Sequence, residues 1–144
     1  MRVHQILKAK ANHAVVTMPP GVTLAAAAQV LANKRIGALV VSEDGTTVKG
    51  ILSERDIVRE LGRRGTACME DLIENVMTRD PVSAKRDDNS DDVFRVMTER
   101  RFRHLPVIED GKMIGLISIG DVVVARLSEL EMEKHALQGM IMGN

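Results

Sequence analysis

An internal repeat is the feature that most constrains how this chain can fold. Residues 36–58, IGALVVSEDGTTVKGILSERDIV, align with residues 102–123, FRHLPVIEDGKMIGLISIGDVV, when one residue is deleted after the turn. The identical positions fall in the same order in both copies: Leu39 and Leu105, Val41 and Val107, 43–45 and 109–111, Gly50 and Gly115, Ser53 and Ser118, Asp56 and Asp121. So many ordered matches indicate two copies of one structural unit.

The repeat extends upstream as a pattern of predicted secondary structure. Apolar residues at helical spacing predict an amphipathic helix in each copy: Ala27, Val30 and Leu31, and Val93, Val96 and Met97. Proline-containing segments at 15–21 and 81–88 predict a short strand and a turn before each helix. Two further apolar sets predict a short lead-in helix before each copy: Val3, Ile6 and Leu7, and Ile73, Val76 and Met77. Apolar and β-branched segments next to the acidic Asp-Gly turns predict hairpins with strands near 38–42, 48–52, 104–108 and 113–117, and the last helices begin near Asp56 and Asp121.

These elements predict the architecture. A unit of roughly 60 residues buries too little surface to be comfortably stable alone, so the two copies are expected to share a core. We predict an α/β (α+β) fold of two β-α-β-β-α repeats related by a pseudo-two-fold axis, with sheets packed face to face, flanking helices and equivalent clefts between the repeats. The predicted units are residues 1–65, residues 66–127 and a helical extension, 128–144, with 62–71 as the linker.

Composition excludes several classes of function. Twenty basic residues balance twenty acidic ones, and the chain has no Trp or Tyr and two Phe, so it lacks the basic excess and the stacking platforms of a nucleic-acid-binding protein. Cys68 is the only cysteine, which excludes an internal disulfide and a thiolate metal cluster. The four scattered histidines and the acidic run 87–92 lack the spacing of a metal site. No signal peptide and no run of about 18 apolar residues is present, so we expect no membrane association and a cytoplasmic location.

Two segments, GILSERD (50–56) and GLISIGD (115–121), each following an apolar strand and an acidic Gly turn, resemble the motif of the CBS-domain family. The chain resembles a stand-alone tandem pair, a Bateman module, from about residue 3 to about residue 127. The resemblance implies a non-catalytic sensor with two possible sites for an adenosine compound: AMP, ADP or ATP, with NAD(H) or S-adenosylmethionine as variants. It also implies a homodimer, no obligatory cofactor and an unknown downstream protein that reads the change of shape.

The two Ser-x-x-Asp motifs carry the proposed ligand contacts. A carboxylate offers two acceptors to the neighbouring hydroxyls of a ribose, and family members use this Asp in that way, so Asp56 and Asp121 are the predicted ribose ligands. Ser53 and Ser118 lie at helix N-termini, where N–H groups and the helix dipole favour a phosphate. The same spacing also fits a capping box, with Ser as the N-cap, and this alternative stays open.

Basic and apolar residues complete the predicted sites. Related modules place basic side chains over the phosphate at the start of the central strand, which here holds Arg103 and His104. The first repeat has Gly37 and Ala38 there, so the cleft near Asp121 is predicted to be better equipped for phosphate, with Arg55 as a compensating residue near Asp56. By the same resemblance, the remaining predicted contacts surround adenine: Thr17, Ser83, Ile36, Phe102 and Pro106. These side chains equally suit an ordinary core or surface.

The C-terminal stretch continues the last helix beyond the repeat. Leu127, Leu130, Leu137 and Ile141 form a partly apolar stripe, which either caps its own module or packs on a second chain. A ligand-independent interaction or dimerisation module is therefore a rival function. An enzyme is not expected, because no P-loop, dinucleotide-binding, zinc-protease or nucleophile-elbow motif is present.

Overall fold

The structure of the protein is a computed structural model that describes residues 1–10 and 14–142. The first half is built from α1 (Val3–Ala9), β1 (Thr17–Met18), α2 (Leu24–Lys34), β2 (Ala38–Val41), β3 (Gly50–Ser53) and α3 (Glu54–Arg64). Two 3-10 helices, Gly65–Glu70 and Ile73–Asn75, lead to the second half. That half is built from β4 (Thr78–Arg79), α4 (Ser90–Arg100), β5 (His104–Glu109), β6 (Lys112–Ser118) and α5 (Ile119–Ile141). The order confirms the predicted mixed α/β fold of two similar repeats.

The strands form two sheets. The first sheet has the order β1-β2-β3-β4, with β1 parallel to β2 and the other pairs antiparallel. The second sheet is the antiparallel pair β5-β6, and an isolated parallel bridge from Ala84 to Val107 takes the place that β1 has in the first repeat. Strand β4 follows the linker in the chain but completes the first sheet, so the two repeats are already interleaved at this level.

The lead-in segments cross over between the repeats. Val3 and Ile6 of α1, at the start of the chain, are buried in the core of the second repeat beside Val107. Conversely, Ile73 and Met77, which precede the second repeat, are buried in the core of the first. Each repeat therefore completes its core with a segment that lies before the other repeat in the chain.

The crossing explains the glycine that both repeats share. A Cβ atom added to Gly50 would lie 2.5 Å from Sδ of Met77, and one added to Gly115 would lie 2.7 Å from Cδ2 of Leu7. A Cβ atom at position 50 would also lie 2.7 Å from the Thr78 carbonyl oxygen, whereas one at position 115 would require the Leu7 side chain to move, so the crossing segments favour glycine at both positions.

A third apolar cluster joins the two sheets. Ala38, Val40 and Ile51 of the first sheet are buried there, and Met113 and Leu116 of β6 pack against them. The shared core predicted from the small size of each repeat is therefore present, and it places the beginnings of β2 and β5 close to the junction.

The predicted linker is more ordered than its composition indicates. Helix α3 continues to Arg64 and ends at Gly65, whose φ of +69° is a conformation that glycine adopts readily. The following 3-10 helix places Cys68 in the first core, where its side chain is fully buried. Residues 62–71 therefore connect the repeats as packed structure, because one small apolar side chain among the charges anchors the segment. Within the described residues, no helix has the length and apolarity needed to span a bilayer.

Candidate functional site

Two clefts lie at the junction of the repeats, and we name each after the aspartate in its wall. The Asp56 cleft has a volume of about 450 Å³ and the Asp121 cleft about 440 Å³. Both volumes lie within the range of about 300–1,000 Å³ that is typical of small-molecule sites. The structure thus contains the pair of equivalent clefts that the repeat predicts.

Each cleft takes its walls from both repeats. The Asp56 cleft combines the start of α3 with Pro81, Val82 and residues 101–105 of the second repeat. The Asp121 cleft combines the start of α5 with Val15, Val16 and residues 36–38 of the first repeat. A molecule bound in either cleft would contact both halves of the protein.

Asp56 forms a capping box with Ser53 at the start of α3. The Asp56 N–H donates to Ser53 Oγ at 3.3 Å, and the Ser53 N–H donates to Oδ2 of Asp56 at 2.9 Å. The other carboxylate oxygen, Oδ1, lies 3.1 Å from Nη2 of Arg59. Asp56 is buried, and its charge is compensated by a backbone donor and a guanidinium.

Asp121 forms the same box at the start of α5 but has a different cation. The Ser118 N–H donates to Oδ2 of Asp121 at 2.9 Å, and Lys10 Nζ lies 2.8 Å from the same oxygen. Lys10 also donates to the Leu116 carbonyl at 2.7 Å. Burial by itself raises the pKa of Asp121, but the hydrogen bonds from Lys10 and the Ser118 N–H outweigh it and lower that pKa.

The capping alternative is therefore realised in both repeats, and it does not remove either aspartate from its cleft. Each box uses one carboxylate oxygen, Oδ2, while the same side chain remains in the cleft wall. In Asp56 the other oxygen, Oδ1, is paired with Arg59, so a ribose hydroxyl would have to share the carboxylate with that guanidinium. Contact with a ribose stays a prediction.

The Asp56 cleft is lined by four arginines: Arg55, Arg59, Arg101 and Arg103. Arg59 is bound to Asp56, whereas Arg55, Arg101 and Arg103 form no ion pair with any residue that the structure describes. Three uncommitted guanidiniums around one cleft provide planar, multiply donating groups suited to phosphate oxygens.

The predicted partition of basic residues is wrong. Arg103 and Phe102 line the Asp56 cleft and not the Asp121 cleft, so the cleft better equipped for phosphate is the one at Asp56. The physical reason is the exchange of walls, which sets the start of β5 against α3 of the other repeat. Arg55, predicted near Asp56, does line that cleft.

His104 and Gly37 line both clefts and form the wall between them. A Cβ atom added to Gly37 would lie 3.5 Å from Cε1 of His104, so a side chain at position 37 would be in van der Waals contact with the imidazole. Burial lowers the pKa of His104, with Asp121 acting in the opposite direction. The histidine that was expected at a single phosphate site therefore lies between the two clefts.

The residues predicted around adenine divide into two groups. Ile36 lines the Asp121 cleft and Phe102 lines the Asp56 cleft, whereas the others lie outside both clefts: Thr17, Ser83 and Pro106. Ala38, the first-repeat counterpart of His104, also lines the Asp121 cleft.

Strand register explains the residues outside the clefts. Thr17 pairs with Val40, which places Val15 level with Ala38, where the cleft lies. The bridge from Ala84 to Val107 likewise places Val82, not Ser83, level with the cleft-lining start of β5. Pro106, on β5 itself, is fully buried.

Sequence reasoning missed several residues of the clefts. Lys10 follows α1, which crosses to the second repeat, and its counterpart in the other copy is Asp80. The opposite charges at these two aligned positions were the available signal for a difference between the clefts. Arg101 ends α4 with a φ of +58°, and nothing in its local sequence indicates that it faces the other repeat.

The chain is similar in sequence and in structure to known proteins that contain CBS domains. The family model described as CBS domain matches residues 4–63 and 73–128. A CBS-domain containing protein of Agrobacterium tumefaciens, known from a crystal structure, is 39% identical with a TM-score of 0.83, over 88% of this chain and 99% of that chain. The crystal structure of CBSX2 in complex with AMP is 30% identical with a TM-score of 0.71, over 88% of this chain and 96% of that chain.

Longer relatives contain the same region. The CBS domain-containing protein CBSCBSPB3 of Arabidopsis thaliana is 31% identical over 123 residues, which are 85% of this chain. This chain spans only 22% of the length of that relative. Each of the two ranges matched by the family model contains one copy of the internal repeat.

Proposed function

The chain belongs to the CBS-domain family, and on that premise we propose that it is a non-catalytic regulatory module that binds adenine nucleotides. AMP, ADP or ATP occupies a cleft between the repeats, and the resulting change of shape is passed to a partner protein. The observation that carries the proposal is that both clefts have walls from both repeats. A ligand that contacts both walls favours the inter-repeat angle that closes its cleft, by no more than its differential affinity for the two states.

Charge supports an anionic ligand. The uncommitted Arg55, Arg101 and Arg103 suit the phosphate groups of AMP, ADP or ATP and disfavour the cationic sulfonium of S-adenosylmethionine. One relative at 30% identity was crystallised with AMP. We assign the ligand with more phosphate groups to the Asp56 cleft and a nucleoside monophosphate to the Asp121 cleft, where Lys10 and Lys34 supply the positive charge.

A dinucleotide is a less favourable ligand. NAD(H) would have to extend over the wall formed by Gly37 and His104 to occupy both clefts at once. We propose a cytoplasmic homodimer as the working form. A ligand-independent interaction module is the second candidate, favoured by the apolar side chains that α5 exposes.

Calorimetric titration with AMP, ATP, NADH and S-adenosylmethionine tests the proposal on the parent chain and on Asp56→Ala and Asp121→Ala. Each substitution is expected to weaken binding in its own cleft by at least about tenfold, because a buried acceptor for the ribose is lost. Absence of binding by every ligand would overturn the nucleotide proposal and favour the interaction module.

A matched control separates binding from capping. Asn89 caps α4 by accepting from the Asp91 N–H at 2.8 Å, and it lines neither cleft. Asn89→Ala is expected to reduce stability by about 1 kcal/mol, because a helix cap is lost, and thereby to lower the melting temperature. The nucleotide affinity is expected to stay unchanged. If the aspartate variants behave in the same way as Asn89→Ala, the aspartates are caps and not ribose ligands.

A further inference from the structure

Helix α5 is packed against the rest of the protein only at its beginning. Its buried residues are Val122 and Ala125. From residue 126 to residue 142 no side chain is buried, and every residue from 130 to 138 is exposed. A lone helical segment of this length is marginally stable in water, so a second surface is needed to hold it.

The exposed part of α5 carries an apolar stripe that a single lysine interrupts. Val123, Leu127, Leu130, Leu137 and Ile141 are separated by steps of four and three residues, with Lys134 at the remaining step. Leu127 is 61% exposed, Leu137 58% and Ile141 83%. This spacing is the seam of a two-stranded coiled coil, and it lies on a different side of the helix from Val122 and Ala125.

We propose that this stripe pairs with the same stripe of a second copy of the chain in a parallel two-stranded coiled coil. Lys134 fits that occupant, because a lysine within a seam extends its ammonium group to solvent and favours a two-stranded pair in one register. The pairing rests on the homodimer of the proposed function and names its interface, but it does not depend on nucleotide binding, so pairing and nucleotide binding can each fail without the other.

The charges beside the stripe select the parallel orientation. In a parallel pair, Arg126 of each copy faces Glu131 of the other, which gives two attractive contacts. In the antiparallel register that keeps the whole stripe in contact, Glu131 faces Glu131 of the second copy and Glu133 faces Glu133. Like charges in those positions oppose association.

Sedimentation of the full chain over a range of concentrations tests the pairing. Leu130→Glu with Leu137→Glu is expected to weaken self-association at least about 100-fold, since two buried layers acquire charge. Met132→Glu is the matched control: Met132 is 57% exposed but lies off the stripe, so association is expected to be unchanged. Melting temperature and AMP binding verify that each variant folds.

A parent chain that stays monomeric, or a double variant that associates as the parent does, would overturn the proposal. The first outcome would leave the stripe to a different protein, and the second would place the dimer interface elsewhere.

Cross-linking tests the orientation. Leu137→Cys is expected to form an intermolecular disulfide on mild oxidation, because identical seam residues meet in a parallel pair, whereas Met132→Cys is not. The native Cys68 is fully buried and does not interfere. Glu131→Arg is expected to weaken association several-fold by facing Arg126, with Glu133→Arg as the control of equal charge change. Failure of Leu137→Cys to cross-link, or stronger association of Glu131→Arg, overturns the parallel arrangement.

Discussion

The two clefts share one backbone device and differ in the charges around it. Both are built beside a Ser-x-x-Asp capping box at a helix start, with nearly identical geometry. The Asp56 cleft holds three arginines that form no ion pair within the described part of the chain, whereas the Asp121 aspartate is bound to Lys10. If the clefts bind nucleotides as proposed, the difference teaches that the repeated motif sets the position of the ligand, while residues outside the motif set the charge that it meets in each cleft.

The largest expected effect comes from removing the arginines of one cleft. Arg55→Ala with Arg103→Ala is expected to lower ATP affinity in the Asp56 cleft at least about 100-fold, because two charge-assisted contacts to phosphate are lost. AMP binding in the Asp121 cleft should be unchanged, which calorimetric stoichiometry will show. Arg95→Ala, on the exposed face of α4, is the control for removal of surface charge. Equal losses in both clefts would break the comparison.

The next effect concerns the cation of the other cleft. Lys10→Met is expected to weaken AMP binding in the Asp121 cleft by about tenfold and to leave the Asp56 cleft unchanged. Stability should also fall by about 1 kcal/mol, since the ion pair is only partly exposed to solvent and Asp121 loses its partner. Lys49→Met, whose ion pair with Glu43 is more exposed and lies outside both clefts, is the control.

Removing the serine caps should reveal what the clefts share. Ser53→Ala and Ser118→Ala are each expected to lower stability by about 1 kcal/mol, because each serine accepts the N–H of its aspartate in the same way. Urea unfolding of the two variants measures the difference directly. Markedly unequal losses would show that the boxes are less alike than their geometry.

Acidification should produce the smallest effect, and it should act on both clefts together. Burial lowers the pKa of His104 below its usual value of 6.5, and the positive charges of Lys10 and Arg103 lower it further. The negative charges of Asp121 and Glu54 raise this pKa but do not outweigh the burial. The unfolded chain then binds more protons, so this contribution to stability is complete above about pH 6.5 and is lost as the pH falls. His104→Gln should flatten the dependence of melting temperature on pH. An unchanged slope would contradict the assignment.

Much of the fold follows from the repeat. The spacing of apolar residues and the positions of turn residues predict the strands and helices to within a few residues. Both features depend on local backbone preference and on which face of an element is buried. The serine caps are visible for the same reason, because a capping box is a local interaction.

The composition of each cleft does not follow from local signals. Arg103 was assigned to the cleft of its own repeat because alignment relates positions within a copy, whereas the fold brings it to Asp56. Thr17 and Ser83 were predicted instead of Val15 and Val82, because register along the neighbouring strand is fixed only when the sheet forms. Lys10 reaches Asp121 only because α1 crosses to the second repeat. All three depend on contacts distant in sequence.

The exchange of lead-in segments has a consequence for the origin of such a chain. A single ancestral unit with this layout would lack the residues that now fill its core, as Val3 and Ile6 do for the second repeat. It would complete itself only by trading its leading helix with an identical molecule. Duplication and fusion of such a unit would turn a swap between two molecules into one within a single polypeptide, and the two sites could then diverge in charge.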